Sequence, residues 1–362
     1  MSKKGRVLVA MSGGIDSSVA SVLLHEAGYE VIGLTMKTWD YAISGASKKE
    51  TGCCSLDSIN DARAVAVKLG FPHYILDIRE EFGESVIENF VQEYIAGRTP
   101  NPCVMCNIHI KWEALLKRAN KLECEFIATG HYARIRKEND RYVISKGLDQ
   151  NKDQSYVLWG VSQENLARTM YPMGGYQKST IREMAIEMGF TALANKPESY
   201  EICFIPDNDY RSFLNHRVEG LADSLKGGNF ILSDGTVVGK HNGYPFYTIG
   251  QRKGLIAMGE PYFVTKIIPE SNTVIIGKEE ELLEHVMHVR GLNFIKYSEL
   301  QPDMPLQVKI RYKDSGAAAI VNPTGNSSAQ VIFEAPVKSI TPGQSAVFYE
   351  GEDVVAGGWI DR

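Results

Sequence analysis

Apolar positions change their spacing along the chain. Between Gly5 and about Gly189, short apolar runs (RVLVAMS, EVIGLTM, HYILDI, FIATGHY) alternate with stretches whose apolar residues recur every three and four positions. The runs predict strands and the stretches predict helices, among them Asp16–Ala27, with Val19, Val22 and Leu23 on one face, and Ser58–Leu69. Such alternation predicts an α/β fold, a doubly wound parallel sheet with both faces covered.

Past about Tyr210 the pattern changes. GGNFILSDGTVVGKHNGY, NTVIIGK, LQVKIRYK, AAAIVNP and SAVFYEGEDVVAGGWI read as short strands cut by Gly, Asn, Asp and Pro turn residues. We therefore expect a catalytic domain over residues 1–210, a small β-rich central domain over 211–283 and a C-terminal β-barrel over 284–362, with the last boundary at EEELLEHVMHV. No internal repeat or low-complexity tract interrupts this plan.

Composition adds exclusions. With 44% hydrophobic and 23% charged residues in 362, the chain fits an ordinary globular protein and not a disordered one. A net charge of −5 argues against an evenly cationic surface, although binding nucleic acid needs only one basic face. No apolar run reaches about 18 residues, and MSKKGRVLVAMSGG passes from a basic start into a strand, unlike a signal peptide. We expect a cytoplasmic monomer with no membrane partner. In that compartment the six cysteines do not form a structural disulfide framework.

The strongest chemical signal is MSGGIDSS, Met11–Ser18, where the first strand hands over to the first helix. Such a turn exposes backbone N–H groups at the positive end of a helix, and Gly13 and Gly14 let the backbone approach an anion. The hydroxyls of Ser12, Ser17 and Ser18 add donors, and Asp16 is placed to cap the helix or help hold Mg2+. The stretch lacks the G-x-x-x-x-G-K-[ST] lysine of a P-loop, which disfavours a kinase. S-G-G-x-D-S resembles the pyrophosphate loop of ATP pyrophosphatases, which implies ATP cleaved between its α- and β-phosphates to adenylate a substrate.

The remaining motifs narrow the substrate. GLTMKTWD, AGRTPNPCVMCN, ATGHYA, NKDQSYVLWG, SYEICFIP and GYPFYTIGQRKGL, in this order and spacing, resemble the tRNA-specific 2-thiouridylase (MnmA/TrmU) family over essentially the whole chain. The resemblance implies a tRNA-uridine 2-sulfurtransferase that thiolates C2 of the wobble uridine, position 34, in tRNAs for Lys, Glu and Gln. It also implies a sulfur donor such as a cysteine desulfurase or a sulfur-relay protein. The chemistry is intelligible: the C2 oxygen leaves poorly until adenylation makes it part of AMP, and a cysteine persulfide then supplies nucleophilic sulfur.

By the same resemblance Cys203 receives sulfur as a persulfide and Cys106 attacks it, releasing hydrosulfide or leaving a Cys106–Cys203 disulfide. Many members carry Asp where this chain has Cys103, and a thiol, with a reference pKa of about 8.5 against about 3.9, is no simple replacement. Cys103, Cys106 and Cys203 alternatively supply three ligands to a [4Fe–4S] cluster whose open iron carries sulfide. A zinc site drawing on Cys53 and Cys54 is less favoured, Cys124 reads as core packing, and a thioredoxin-like pair is disfavoured because no helix clearly starts at Cys103.

Other positions carry over singly. Ala10, Met11, Ser12, Gly13, Gly14, Ile15, Asp16, Ser17, Met36 and Gly130 match the family's ATP site. Asn101, Pro102 and Cys103 match the segment that touches the target base, and His131, Lys152, Asp153, Gln154, Arg311, Tyr312 and Gln344 match tRNA contacts. Arg252, Lys253, Arg311 and Lys313 offer cationic grip on phosphates. Two rivals remain: a synthetase with the same ATP domain that adds an amine, in the manner of tRNA-lysidine synthetase, and a non-catalytic nucleotide- or RNA-binding protein.

Overall fold

The computed structural model describes residues 4–39, 55–196, 202–205 and 207–361; Cys53 and Cys54 lie outside them. The chain divides into two compact units. One comprises Met1–Val86, Cys103–Asn208 and Glu352–Val354, and the other Ile87–Pro102, Asp209–Gly351 and Val355–Arg362.

The first unit is built on a parallel sheet of β1 (Arg6–Ala10), β2 (Glu30–Lys37), β3 (His73–Asp77), β4 (Phe126–Ala128) and, beyond a hairpin of β5 (Ala133–Glu138) and β6 (Arg141–Lys146), β7 (Thr169–Met170). Its order is β3-β2-β1-β4-β7, with Val9 opposite Gly33 on one side and Ala128 on the other. Central position explains the continuous apolar run of β1: Val7, Leu8 and Val9 are fully buried. On edge strand β3, Tyr74 and Ile75 remain exposed.

Helix Ile15–Glu26 packs Val19 and Ala20 against Tyr132, Met173 and Ile181. Helix Leu56–Leu69 is stopped at both ends by local chemistry. The Ser55 hydroxyl accepts from the Ser58 N–H, and Gly70 takes the left-handed conformation, φ 74°, that ends a helix without a Cβ clash. The β5–β6 hairpin departs from the expected strand–helix alternation. Its sequence, ARIRKENDRYVISK, is too charged to read as an apolar run, and Asn139 turns it with φ 52°.

The second unit holds a small sheet and a barrel. In the sheet, β8 (Gly228–Ile231), β9 (Val237–His241), β10 (Phe263–Ile268) and β11 (Thr273–Gly277) take the order β10-β11-β8-β9. The barrel contains β12 (Leu283–Phe294), β13 (Met304–Lys309), β14 (Ala317–Gly325), β15 (Ser328–Lys338), β16 (Ser345–Glu350) and β17 (Asp353–Asp361). Its antiparallel order β12-β15-β14-β13-β16-β17 closes through a β12–β17 pairing that sets Val289 opposite Ile360. Phe333, Phe348, Val331 and Ile360 fill its interior. Strand β12 arises from the segment anticipated only as a boundary; its alternation places Met287 and Val289 inside and the histidines outside. No helix among the described residues is long and apolar enough to cross a membrane.

One buried histidine in the small sheet gives the fold a pH response. His241 accepts from the Gly243 N–H at 3.0 Å, lies edge-on to Phe230 and Tyr247, and has no partner for its buried Nε2. Burial pushes its pKa down to about 4. The folded chain therefore binds fewer protons than the unfolded chain between pH 6.5 and 4, so this stability is complete above about 6.5 and lost as pH falls through that window. Urea titrations are expected to show about 2 kcal/mol less stability at pH 5 than at pH 7 from this residue. The expectation fails if His241→Gln keeps the same pH slope.

Candidate active site

The glycine loop lies at the C-terminal end of β1, where ligands of open α/β sheets collect. Gly13 has φ 70°, and a Cβ there would stand 2.0 Å from the Ser58 carbonyl oxygen, so only glycine fits. Gly14 occupies the cap position of helix Ile15–Glu26 with no side-chain cap. Among the described residues, the N–H groups of Gly13, Gly14, Ile15 and Asp16 meet no acceptor, which makes a cradle for an anion. Ser17 Oγ accepts from the Ser12 N–H at 3.1 Å and donates to the Gly14 carbonyl at 3.2 Å; Ser18 Oγ donates to the same carbonyl at 2.9 Å.

Neighbouring strands complete the loop. Gly130, just past β4, comes so close that a Cβ would meet Ser17 N at 2.8 Å. Ala10 ends β1 and Met36 is the next-to-last residue of β2, beside Leu76 in register. Met11 is buried, and its carbonyl accepts from Thr35 Oγ1 at 2.7 Å. With that single proton spent, Thr35 accepts from Nε2 of His73 at 2.8 Å. Burial, aided by Arg63, holds His73 below the usual histidine range, in keeping with a neutral ring protonated at Nε2.

Asp16 neither caps the helix nor stands alone. Lys178 Nζ reaches its two carboxylate oxygens at 2.7 and 2.8 Å, and the Tyr132 hydroxyl donates to Oδ1 at 2.6 Å. Lys178 is buried at the first position of helix Lys178–Glu187, where the helix dipole disfavours a cation. The sequence reading missed both partners. A lysine opening a helix in YQKSTIRE was the available signal: something nearby had to be anionic.

The cysteines occupy two settings. A helical segment does start at Pro102, against expectation, and runs Pro102–Cys106, through the π-helical turn Asn107–Lys111, into Trp112–Lys121. Proline favours the first helical position because its missing N–H is not needed there. Cys106 is buried, whereas Cys103 has solvent access. Surrounding protein nevertheless pushes the Cys103 thiol up from its ordinary pKa, with Lys111 pulling it down by less, so it is protonated at neutral pH. A low-pKa thioredoxin-like nucleophile is not what this environment makes.

Cys203 is half-buried on the turn Ile202–Ile205, anchored by fully buried Phe204 against Phe82 and Trp39. None of the described cysteines is in a disulfide, and Cys124 is buried. Among the described residues no three His, Cys, Asp or Glu side chains converge as a metal site, so Cys103, Cys106 and Cys203 do not form a ready cluster cradle.

Past β4, His131 Nδ1 bonds Thr129 Oγ1 at 2.7 Å, and its ring stacks on Trp112 at 5.9 Å and meets Tyr171 edge-on at 6.3 Å. Burial, with help from Lys111, holds this histidine neutral. Asp153 is buried, accepting from the N–H groups of Gly147 and Ser155 and the Ser155 hydroxyl, so it organises its loop. Gln154 exchanges bonds with the Tyr132 backbone, while the Lys152 N–H binds the Asp149 carbonyl. Arg311 and Tyr312 are exposed, with Arg311 also donating to the Lys338 carbonyl. Asn101 and Pro102 are half-buried, and Gln344 donates to the carbonyls of Thr99 and Pro100.

Comparison with known proteins covers nearly all of the chain. Residues 5–207 match the family described as tRNA methyl transferase HUP domain, residues 211–278 the tRNA methyl transferase PRC-barrel domain, and residues 284–360 the Aminomethyltransferase beta-barrel domain. A tRNA-specific 2-thiouridylase MnmA of Cytophaga hutchinsonii is 64% identical over 99% of this chain and 98% of that protein. Proteins of the same name from Amoebophilus asiaticus and Salinibacter ruber are 63% and 60% identical, each over 99% of this chain and over 96% and 95% of their own lengths. Among solved structures, a 4-thiouridine synthetase in complex with RNA and ATP is similar over 60% of this chain and 51% of its own, at 19% identity and a TM-score of 0.37.

Proposed function

The chain belongs to the tRNA-specific 2-thiouridylase family, and on that premise we propose that it is a tRNA-uridine 2-sulfurtransferase acting on the wobble uridine of tRNAs for Lys, Glu and Gln. The observation that carries this reading is the uncommitted N–H cradle of Gly13–Asp16, set in the same compact unit as Cys106 and Cys203. ATP phosphates would occupy the cradle, with Met36 and Gly130 flanking the nucleotide. Because Asp16 is already held by Lys178, Mg2+ would be bound chiefly through phosphate oxygens and water. When bound it would neutralise phosphate charge.

The proposed reaction has two stages. The C2 oxygen of uridine attacks the α-phosphorus, pyrophosphate leaves, and the oxygen becomes part of an adenylate. A persulfide on Cys203 then supplies sulfur to C2 as the C2–O bond breaks and AMP departs. Cys106 thiolate attacks Cys203 Sγ, which breaks the persulfide S–S bond and leaves a Cys106–Cys203 disulfide. A dithiol reductant returns both thiols, and a cysteine desulfurase or sulfur-relay protein reloads Cys203. The neutral imidazole of His131 and the protonated Cys103 would face the base as uncharged groups, so Cys103 would be a weaker general base than an aspartate carboxylate.

The deciding assay supplies unmodified tRNA, ATP, Mg2+ and a persulfide source, and follows 2-thiouridine by mass spectrometry beside pyrophosphate. Equal yields of both are expected. An aminated nucleoside would favour the amide-forming rival, and no tRNA-dependent pyrophosphate would favour a binding protein. Iron and sulfide in stoichiometric amounts after anaerobic purification, lost in Cys103→Ala, would replace the persulfide route with a cluster.

Gly130→Ala tests the nucleotide site separately. Its Cβ would press on Ser17 N at 2.8 Å and on the Asp16 carbonyl carbon at 3.0 Å, displacing the cradle. A rise in the ATP dissociation constant of about tenfold or more is expected by calorimetry, from lost bonds worth about 1.5–3 kcal/mol to a charged ligand. Unaltered affinity would place the phosphates elsewhere.

A further inference from the structure

The glycine loop has no lysine of its own, yet the fold brings two lysines to it. The Lys178 side chain is 7% exposed and donates to both oxygens of Asp16, so its charge is already cancelled within the loop. Lys196 is held differently. Its Nζ donates to Asp61 Oδ2 at 2.8 Å and to Ser58 Oγ at 3.3 Å, and the two charged side chains are 37% and 38% exposed. Ser58 is the residue whose backbone presses on Gly13: a Cβ on that glycine would stand 2.0 Å from the Ser58 carbonyl oxygen and 2.6 Å from its Cα. A single residue thus separates the Lys196 ammonium from the first glycine of the cradle.

The backbone of Lys196 is pinned in this place. Leu193 is buried in one cluster with Ala62 and Val65 of helix Leu56–Leu69, and Ala194 in another with Ile15 and Val19 of helix Ile15–Glu26. The Lys196 N–H then closes a turn on the Leu193 carbonyl at 3.2 Å. An exposed ion pair is weak because water solvates both partners, so Asp61 gives up the ammonium readily. Phosphate oxygens offer it charge-assisted hydrogen bonds beside a cradle that itself supplies only backbone dipoles. We propose that Lys196 is a phosphate-binding residue: when ATP occupies the cradle, its ammonium leaves Asp61 and donates to an oxygen of the β- or γ-phosphate, the part that departs as pyrophosphate. The proton stays on the nitrogen, so the step is an exchange of hydrogen-bond acceptors. Asp61 is the resting partner that keeps the side chain beside the loop before nucleotide arrives. This deepens the ATP-dependent reading above and rests on it for the identity of the nucleotide.

Calorimetry with ATP and Mg2+, and with AMP, which lacks both outer phosphates, compares wild type with Lys196→Met, Lys196→Arg and Asp61→Asn. Lys196→Met is expected to weaken ATP about tenfold or more, as for one lost hydrogen bond to a charged group, and to leave AMP within about twofold of wild type. Lys196→Arg keeps the charge and is expected to recover at least about threefold of that loss. Asp61→Asn removes the competing acceptor and is expected to tighten ATP about threefold, again without effect on AMP.

Equal losses for ATP and AMP in Lys196→Met overturn the assignment, because the residue would then support the loop without meeting the outer phosphates. Unchanged ATP affinity in that variant overturns it as well. An Asp61→Asn variant that binds ATP more weakly than wild type overturns the exchange of partners, since the ion pair itself would then be what the site needs. If wild type binds ATP and thiolates no tRNA, the proposed function has failed, and the comparison of ATP with AMP still decides Lys196. Wild type that binds no ATP overturns both.

Discussion

Cys203→Ser is expected to abolish 2-thiouridine formation, by at least about 10³-fold, while tRNA-dependent pyrophosphate release persists. The split follows from the two-stage chemistry. In the proposed mechanism adenylation uses the cradle at Gly13–Asp16 and no thiol, whereas sulfur delivery uses a sulfur that can carry a second one, which a hydroxyl cannot do. Cys106→Ser should halt turnover after loading, so mass spectrometry would find sulfur retained on Cys203. Serine at Cys203 perturbs little structure, because the residue is only half-buried and Phe204 anchors its turn. Thiolation that survives Cys203→Ser would discard the persulfide route.

Lys178→Met should disable the nucleotide site and weaken the fold together. Removing this buried ammonium takes away two of the three bonds of 2.6–2.8 Å that hold the Asp16 carboxylate and leaves the one from the Tyr132 hydroxyl, in a position about one-third exposed. A fully buried pair broken on one side costs about 3–5 kcal/mol, and partial solvation of Asp16 reduces that to about 2–3 kcal/mol. Asp16→Asn should be worse, because it strands the more deeply buried partner. The double variant separates packing from chemistry. It should recover much of the stability in urea titrations, since neither charge remains, yet leave ATP-dependent pyrophosphate release at least about 10²-fold down. Full activity in the double variant would make the pair a structural device only.

What could be read along the chain was whatever its nearest neighbours dictate. Buried strand β1, the glycine loop and the first two helices depend on residues within a few positions of one another, and each stands where the spacing placed it. The strands of the second half were legible where Gly and Asn cut an apolar run. Charge obscured the β5–β6 hairpin, and a long alternating strand was mistaken for a boundary at β12. The site divides the same way. Its loop was evident, whereas the pairing of Asp16 with Lys178, 162 residues away, and of Gln344 with Thr99, 245 residues away, exists only once the chain has folded.

The π-helical turn Asn107–Lys111 sets the rotational phase of the cysteines. One residue of an α-helix turns the axis by about 100°, and a π-turn takes up such an extra residue without breaking the helix. Fully buried Trp112 fixes the downstream part, and Asn107, donating to the Val157 carbonyl at 2.7 Å, pins the turn itself. Deleting a single residue between them would restore an unbroken helix but turn buried Val104 and Asn107 out of their packing. It would also swing Cys106, the proposed sulfur-transfer thiol, to a different azimuth, so the wide turn works as an angular offset between a rigid anchor and that side chain.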